Sequence, residues 1–428
     1  MKTQIVQKKK LTGKNLVLLN EDFKRETLFK AAKNSSIKLA HFNDYMANPE
    51  KIIQVFDHFD GIYFESLNVA VINLNKQDEL AFMSKNMQKA VLATEPERYV
   101  YKIGHNDYLK GYRDGVNALM ENLSQYEGPS INSDLNELRR NFTDSEEATW
   151  GIKATRALDS KYTGKGVNIA ILDTGLFKGH VDLLGRKMIT KKFVSSGSAG
   201  DVDGHGSHCV GVACGFKDET GTRYGVAYHS NIFCGKVLDD HGEGTDSGIL
   251  AGIEWALKKK CRVISMSLGA PSEVNEPFSE IYETVAQRSM KLGALIVAAA
   301  GNESNRPVFI APVGHPANCP SVLAVGAVDN SMKMAYFSSG GLNKNGGQID
   351  VVAPGVAVYS MINVQHEHDK WDGTSMATPF VSGIAGLYFE QNPKAGPMDI
   401  WTLLSQHARR LPLNSVDCGS GLVQAPID

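Results

Sequence analysis

Cysteine is scarce in this chain, with six thiols among 428 residues: Cys209, Cys214, Cys234, Cys261, Cys319 and Cys418. They are scattered and form no CxxC pair, which argues against a disulfide-stapled scaffold or a thiolate zinc centre. Free thiols in a reducing compartment are expected. Charge of one sign is lacking as well. The 45 basic and 47 acidic side chains leave a net charge of −2, so neither nucleic acid nor an anionic membrane surface is expected as a partner. No run of about 18 apolar residues could span a bilayer. The apolar stretch 16–19, which follows the basic residues Lys8, Lys9, Lys10 and Lys14, is shorter than the core of a secretion signal. The expected location is therefore cytoplasmic, or secreted if a leader has been trimmed away. What the chain does have is 41 glycines and a hydrophobic fraction of 42%. Those values describe a turn-rich globular protein long enough for one large domain and a smaller one.

Hydrophobic periodicity divides it. After a polar tail at 1–14, residues 15–103 read as strand (15–20), amphipathic helix (21–34), strand at 37–42, strand from 61–64 through 69–73, helix (76–85) and strand (90–94). This β-α-β-β-α-β order is that of a small two-layer α+β, ferredoxin-like domain. Residues 104–145 are polar and turn-rich, and read as a connector with one helix near 107–123. From 146 to 428 the pattern changes. Apolar β-branched segments at 167–172, 232–238, 263–268, 294–298 and 322–325 alternate with helical patterns at 206–214, 247–259 and 278–292. The expected fold is α/β, a parallel sheet flanked by helices on both faces, with its site at the carboxyl ends of the strands.

Chemistry is suggested by four turns. In Gly373-Thr374-Ser375-Met376-Ala377-Thr378-Pro379, small residues surround one serine at the start of an apolar helix, whose unpaired N–H groups would stabilise an oxyanion beside Ser375. The strand at 167–172 ends in Asp173-Thr174-Gly175, a carboxylate placed to orient a histidine. His205 stands between two glycines, free of bulky neighbours, as a general base must be; His208, one helical turn on, reads as a packed side chain. Asn302 follows Ala299-Ala300-Gly301 at another strand end, where its amide can donate into an oxyanion hole. Taken singly, these are also a helix cap and turn residues. Together, and in the order Asp, His, Asn, Ser, they form a set.

That set resembles the subtilisin-like serine proteases, from about residue 150 to the end; Ser267-Leu268-Gly269 and Gly419-Ser420-Gly421-Leu422-Val423 are also similar to that family's motifs. The resemblance implies a subtilisin-like fold and a serine endopeptidase acting on protein or peptide substrates through an acyl-enzyme. Asp173, His205 and Ser375 would be its catalytic triad and Asn302 its oxyanion donor. Ser267, Leu268 and Gly269 would pair with the substrate backbone, and with Ala299, Ala300 and Gly301 would wall the pocket for the residue before the scissile bond (P1). Gly314 would form the floor of that pocket, and Glu303 at its rim would favour a basic P1 residue. No cofactor is implied for catalysis. A structural calcium is, held by Glu146, Asp182 and the loop containing Asp218. Ser207, Cys209 and Thr378 depart from the family pattern without removing a catalytic group.

Residues 15–103 resemble the family's inhibitory propeptide, so the chain's own N-terminal domain is expected as an intramolecular inhibitor. Residues 99–102 would thread the cleft, and self-cleavage would fall near 101–104. Cleavage near 141–145, or none, are the alternatives left by the intervening connector. A different class of function also stays open, that of a catalytically silent peptide-binding protein with a permanently occupied cleft.

Overall fold

The computed structural model describes residues 11–22, 24–46, 55–73, 89–103, 142–195 and 197–427. The helices expected at 76–85 and 107–123, and most of the expected connector, lie outside these residues.

The N-terminal part is a twisted sheet with strands β1 (Leu11–Leu19), β2 (Leu39–His41), β3 (Gly61–Phe64), β4 (Val69–Ile72) and β5 (Val91–Lys102), in the order β5-β1-β4-β3-β2. All neighbours are antiparallel except β2 and β3. Helix α1 (Arg25–Asn34) packs Leu28 and Ala32 against this sheet. It begins four residues later than the expected position 21 because the Asn20 side chain accepts the Asp22 N–H at 3.1 Å, a local turn that competes with helix. Strand β1 begins at Leu11, inside what was read as tail. Strand β5 is more than twice as long as expected. Pro96 ends the apolar alternation there, yet it is tolerated beside a register shift in the β1–β5 pairing.

The C-terminal part holds seven parallel strands: β6 (Asn168–Asp173), β7 (Met188–Lys192), β8 (Asn231–Lys236), β10 (Val263–Met266), β12 (Leu295–Ala299), β13 (Leu323–Val328) and β14 (Val351–Pro354). Their order is β14-β13-β12-β10-β6-β8-β7. Sequence periodicity misses β7, whose residues are mostly half-buried, and β14. Between these strands come β9 (Glu243–Thr245) and β11 (Leu268–Gly269), which belong to the other sheet. From β6 the chain runs to β7 at one edge, returns to β8 between them, then crosses to β10 on the other side of β6 and builds outward through β12, β13 and β14. The carboxyl ends of β6 and β10 therefore flank a switch point, where open parallel sheets place their sites.

Helices α2 (His205–Cys214) and α5 (Thr374–Gln391) pack together, α5 lying against the central strands; α3 (Asp246–Lys258) and α4 (Glu280–Lys291) also contact β5 of the N-terminal sheet. Nearly every residue of α5 is buried, which explains its lack of a polar face. After it, the chain closes against β14 through the Val352–Leu422 bridge. No helix among the described residues is long and apolar enough to cross a membrane. All six cysteines are buried free thiols.

Candidate active site

Asp173 ends β6, fully buried, and its Oδ1 lies 2.7 Å from His205 Nδ1. The same oxygen accepts the Thr174 N–H at 2.7 Å. His205 is the first residue of α2, and the helix can sit this close to the Asp173 turn because Gly206 has no side chain. A Cβ there would lie 2.2 Å from the Gly175 carbonyl oxygen. Burial alone would lower the His205 pKa, but the Asp173 carboxylate outweighs it and holds the imidazole well above its ordinary value. Its Nε2 makes no hydrogen bond. His208 Nε2 donates to the Val358 carbonyl at 3.0 Å, and the ring stacks on Trp371, 4.8 Å between ring centres. Burial, with the neighbouring His205 charge, pushes its pKa down to about 3, so it stays neutral.

Ser375 lies in the first turn of α5. Pro379, four residues on, has no N–H to bond the Ser375 carbonyl. That carbonyl instead accepts from Ser267 Oγ at 2.8 Å and from Cys209 Sγ at 3.5 Å, tying the Ser375 turn to the end of β10 and to α2. The Ser375 hydroxyl donates to two carbonyls, that of Ser267 at 3.1 Å and that of Ile103.

Ile103 directly follows the long strand β5. Tyr101 and Lys102 pair antiparallel with Gly269 and Leu268 of β11 on one side, while Tyr99, Val100 and Tyr101 pair with β9 on the other. The segment is thus the middle strand of three. The Ile103 N–H donates to the Ser267 carbonyl at 3.3 Å, and the Ile103 carbonyl also accepts from Asn302 Nδ2 at 3.3 Å. Asn302 is oriented by Thr374, whose N–H and hydroxyl both donate to Asn302 Oδ1 at 2.9 Å. Gly373, at φ 152°, is required here, since a Cβ would crowd Asn302 Nδ2 at 3.1 Å and the Ile103 oxygen at 3.4 Å.

Of the expected site residues, Ser375, Asn302, Ser267, Leu268 and Gly269 therefore meet one short segment of the chain itself, and the Asp173–His205 pair lies beside them, with Cys209 Sγ 4.0 Å from His205 Nδ1 and 3.5 Å from the Ser375 carbonyl. Ala299, Ala300, Gly301 and Gly314 are buried nearby, with the Gly314 N–H on the Ala300 carbonyl at 2.9 Å. Ile103 is 7% exposed, and its Cδ1 would be 3.0 Å from a Cβ on Gly269. The Glu303 carboxylate accepts from Ser339 Oγ at 3.2 Å, which weakens its expected selection of a basic P1 side chain.

The calcium set does not assemble. Glu146 is exposed, and it is its backbone carbonyl that accepts from Thr222 Oγ1 at 3.1 Å. Asp218 Oδ1 takes the Thr220 N–H, the Thr220 hydroxyl and the Thr222 N–H, and its Oδ2 takes the Tyr359 hydroxyl. Asp182 Oδ2 is engaged by the Tyr224 hydroxyl at 2.6 Å and His368 Nε2 at 2.7 Å. A lysine ammonium, Lys370 Nζ, stands 2.7 Å from Asp144 in the cavity that Asp218, Thr222 and Tyr359 also line. These oxygens already have donors, and the residues do not fit a hard cation that needs six to eight free oxygen ligands.

Sequence reasoning missed three contributors. Asp203 pairs with the Lys102 ammonium; Asp201 holds the α2 entrance through Thr174 Oγ1, Ser207 N and Ser207 Oγ; Thr374 aims Asn302. Thr374 was visible beside Ser375, but its partner lies 72 positions away.

The family model described as "Subtilase family" matches residues 164–421. Over 274 residues the chain is 36% identical to subtilisin DY of Bacillus licheniformis, covering 64% of this chain and 94% of that protein. It is 37% identical over 274 residues to subtilisin E of Bacillus subtilis, covering 64% and 68%. It is 34% identical over 287 residues to alkaline elastase YaB of a Bacillus species, covering 66% and 70%. This kinship does not favour the cytoplasmic placement expected from the N-terminus. With a family match over more than half its length and a parallel sheet of the expected kind, the chain belongs to the subtilase family and is a serine endopeptidase acting on protein or peptide substrates.

Proposed function

We propose that this endopeptidase is made as a self-inhibited zymogen that cuts its own chain between Ile103 and Gly104. In this reading residues 15–103 are the inhibitory domain, 104–145 a connector that stays with the enzyme after cutting, and 146–428 the catalytic domain. The observation that carries it is the seat of the Ile103 carbonyl, with the Ser375 hydroxyl and Asn302 Nδ2 on its oxygen and the Ser267 carbonyl on its own N–H. That is the pose of a scissile carbonyl.

Asp173, His205 and Ser375 act as the triad. The Ser375 hydroxyl swings from the carbonyl oxygens toward His205 Nε2, gives up its proton there, and attacks the Ile103 carbonyl carbon. The oxyanion that forms is held by Asn302 Nδ2 and the Ser375 N–H. Asp173 stabilises the imidazolium. His205 returns the proton to the Gly104 nitrogen as the peptide bond breaks, leaving Ile103 esterified to Ser375, and water activated by His205 completes hydrolysis. Protein groups suffice, and catalysis in this family needs no cofactor.

Released Ile103 remains a product-like inhibitor because its domain is anchored elsewhere. Glu95 Oε1 accepts the Ile281 N–H at 3.2 Å and Glu97 Oε1 the Ser247 N–H at 3.0 Å, so two carboxylates cap the positive ends of α4 and α3. Arg288 of α4 donates to the Leu19 carbonyl at 2.8 Å, and Glu254 of α3 accepts from Ser66. The same segment supports a substrate preference: aliphatic at P1 (Ile103), basic at P2 (Lys102 on Asp203) and aliphatic at P4 (the fully buried Val100).

The silent-binder alternative retains no specific support, since every group the reaction needs is present. A fluorophosphonate probe separates the two readings. It should label Ser375 in the processed protein and leave Ser375→Ala unmarked; absence of label on any processed form would refute the enzyme mechanism.

A further inference from the structure

Outside the cleft, His180, Asp182 and His368 bring three ligand atoms within 4.8 Å of one another. His180 Nδ1 is 3.8 Å and His368 Nε2 2.7 Å from Asp182 Oδ2; ligands around a tetrahedral ion with bonds of about 2.0–2.2 Å stand ~3.3–3.6 Å apart, so the hydrogen-bonded His368–Asp182 pair opens by under ~1 Å to admit an ion. All three side chains are buried, at 0%, 3% and 8% exposure. The surroundings are those that tune a metal ligand. His180 Nε2 lies 3.0 Å from the Glu367 carbonyl and so carries the proton, which leaves Nδ1 with its lone pair toward the cluster, where it accepts only a long 3.3 Å bond from the Asp182 N–H. The Tyr224 hydroxyl steadies the carboxylate, and the Tyr359 ring stacks on His368 at 5.1 Å. The two imidazoles meet edge to face, 5.0 Å between centres.

We propose that this cluster is a structural site for a divalent metal of the zinc class, with His180 Nδ1, His368 Nε2 and Asp182 as ligands and a fourth position left for water. Two imidazole nitrogens and one carboxylate favour zinc, cobalt or nickel over calcium, which is why Asp182 fails as part of an oxygen set. On binding, the Nε2 proton that His368 shares with Asp182 is displaced, either to Nδ1 or to solvent, and the affinity falls as pH drops. The location gives the ion a purpose. His368 opens β16 (His368–Trp371), which pairs with β15 (Val358–Met361). That strand ends in Trp371, whose ring covers His208 and lies 6.4 Å from His205, and the chain then turns through Gly373 to Ser375. A metal at its start pins the hairpin that leads to the nucleophile.

The test uses the full-length chain carrying Ser375→Ala, so that metal binding is read without any proteolysis and independently of the zymogen reading. Cobalt(II) titration should give one site per chain with the visible bands of a nitrogen–oxygen tetrahedral centre. Zinc should displace the cobalt and raise the melting temperature, and EDTA should reverse the rise. His368→Gln and His180→Gln, checked for folding by circular dichroism, should each weaken binding by at least ~100-fold, more than loss of an outer-shell partner costs. A second cluster, Asp173, His205 and Cys209, is controlled by Cys209→Ser, which should leave the cobalt spectrum unchanged. A thiolate charge-transfer band that disappears with Cys209→Ser, saturation by calcium in place of zinc, or no saturable binding would each overturn the proposal.

Discussion

At the scale of single residues, the chemistry rests on pairings that exclude alternatives. Asn302 has its oxygen committed to Thr374, so its amide nitrogen must face the Ile103 carbonyl. Asn302→Ala should therefore lower kcat by about 10²- to 10³-fold, the loss known for such a donor in subtilisin, a relative of this chain. KM should change little, because the donor acts mainly on the transition state; steady-state kinetics of the processed enzyme decide this. In the proposed mechanism His205 must be neutral to take the Ser375 proton, and Asp173 raises its pKa. The acidic limb of kcat/KM should thus lie above the ordinary histidine value of about 6.5. Asp173→Asn should move that limb downward and cost about 10⁴-fold in kcat; an unmoved limb would assign it to another group. By linkage, the same pair stabilises the fold fully below the unfolded-state pKa and loses that contribution as pH rises through the raised folded value.

At the scale of elements, β5 ties the N-terminal strands to β9 and β11, which the C-terminal part contributes to the same sheet. The residues of the proposed triad are legible because each sits on a short local turn: Asp173 at a strand end, His205 between glycines, Ser375 before an apolar helix. The true length of β5 is not, because its last residues are strand only through pairing with β9 and β11, more than 140 positions away. Asp182 misled for a related reason. An acidic loop residue gives no sign that a histidine 186 positions on will meet it. The helix caps supplied by β5 yield a prediction at this scale. Glu97 is fully buried, with Thr12, Lys14 and the α3 N-terminus as its partners. Glu97→Ala leaves those donors unsatisfied, and loss of a cap typically costs ~1 kcal/mol or more. Self-processing, followed as the ratio of cut to whole chain over time, should slow by at least ~5-fold. An unchanged time course would mean that β5 is held in the cleft by its tip alone.

For the whole molecule, an N-terminal sheet, a cleft and a serine form one proposed self-acting unit, in which the cut falls after Ile103 and is made by Ser375. The most direct measurement is intact mass and N-terminal sequencing of the purified wild-type chain beside Ser375→Ala. The account predicts a wild-type fragment ending at Ile103 and a second beginning at Gly104, with the variant remaining whole. Two whole chains, two equally cut chains, or a wild-type cut near 141–145 would contradict it.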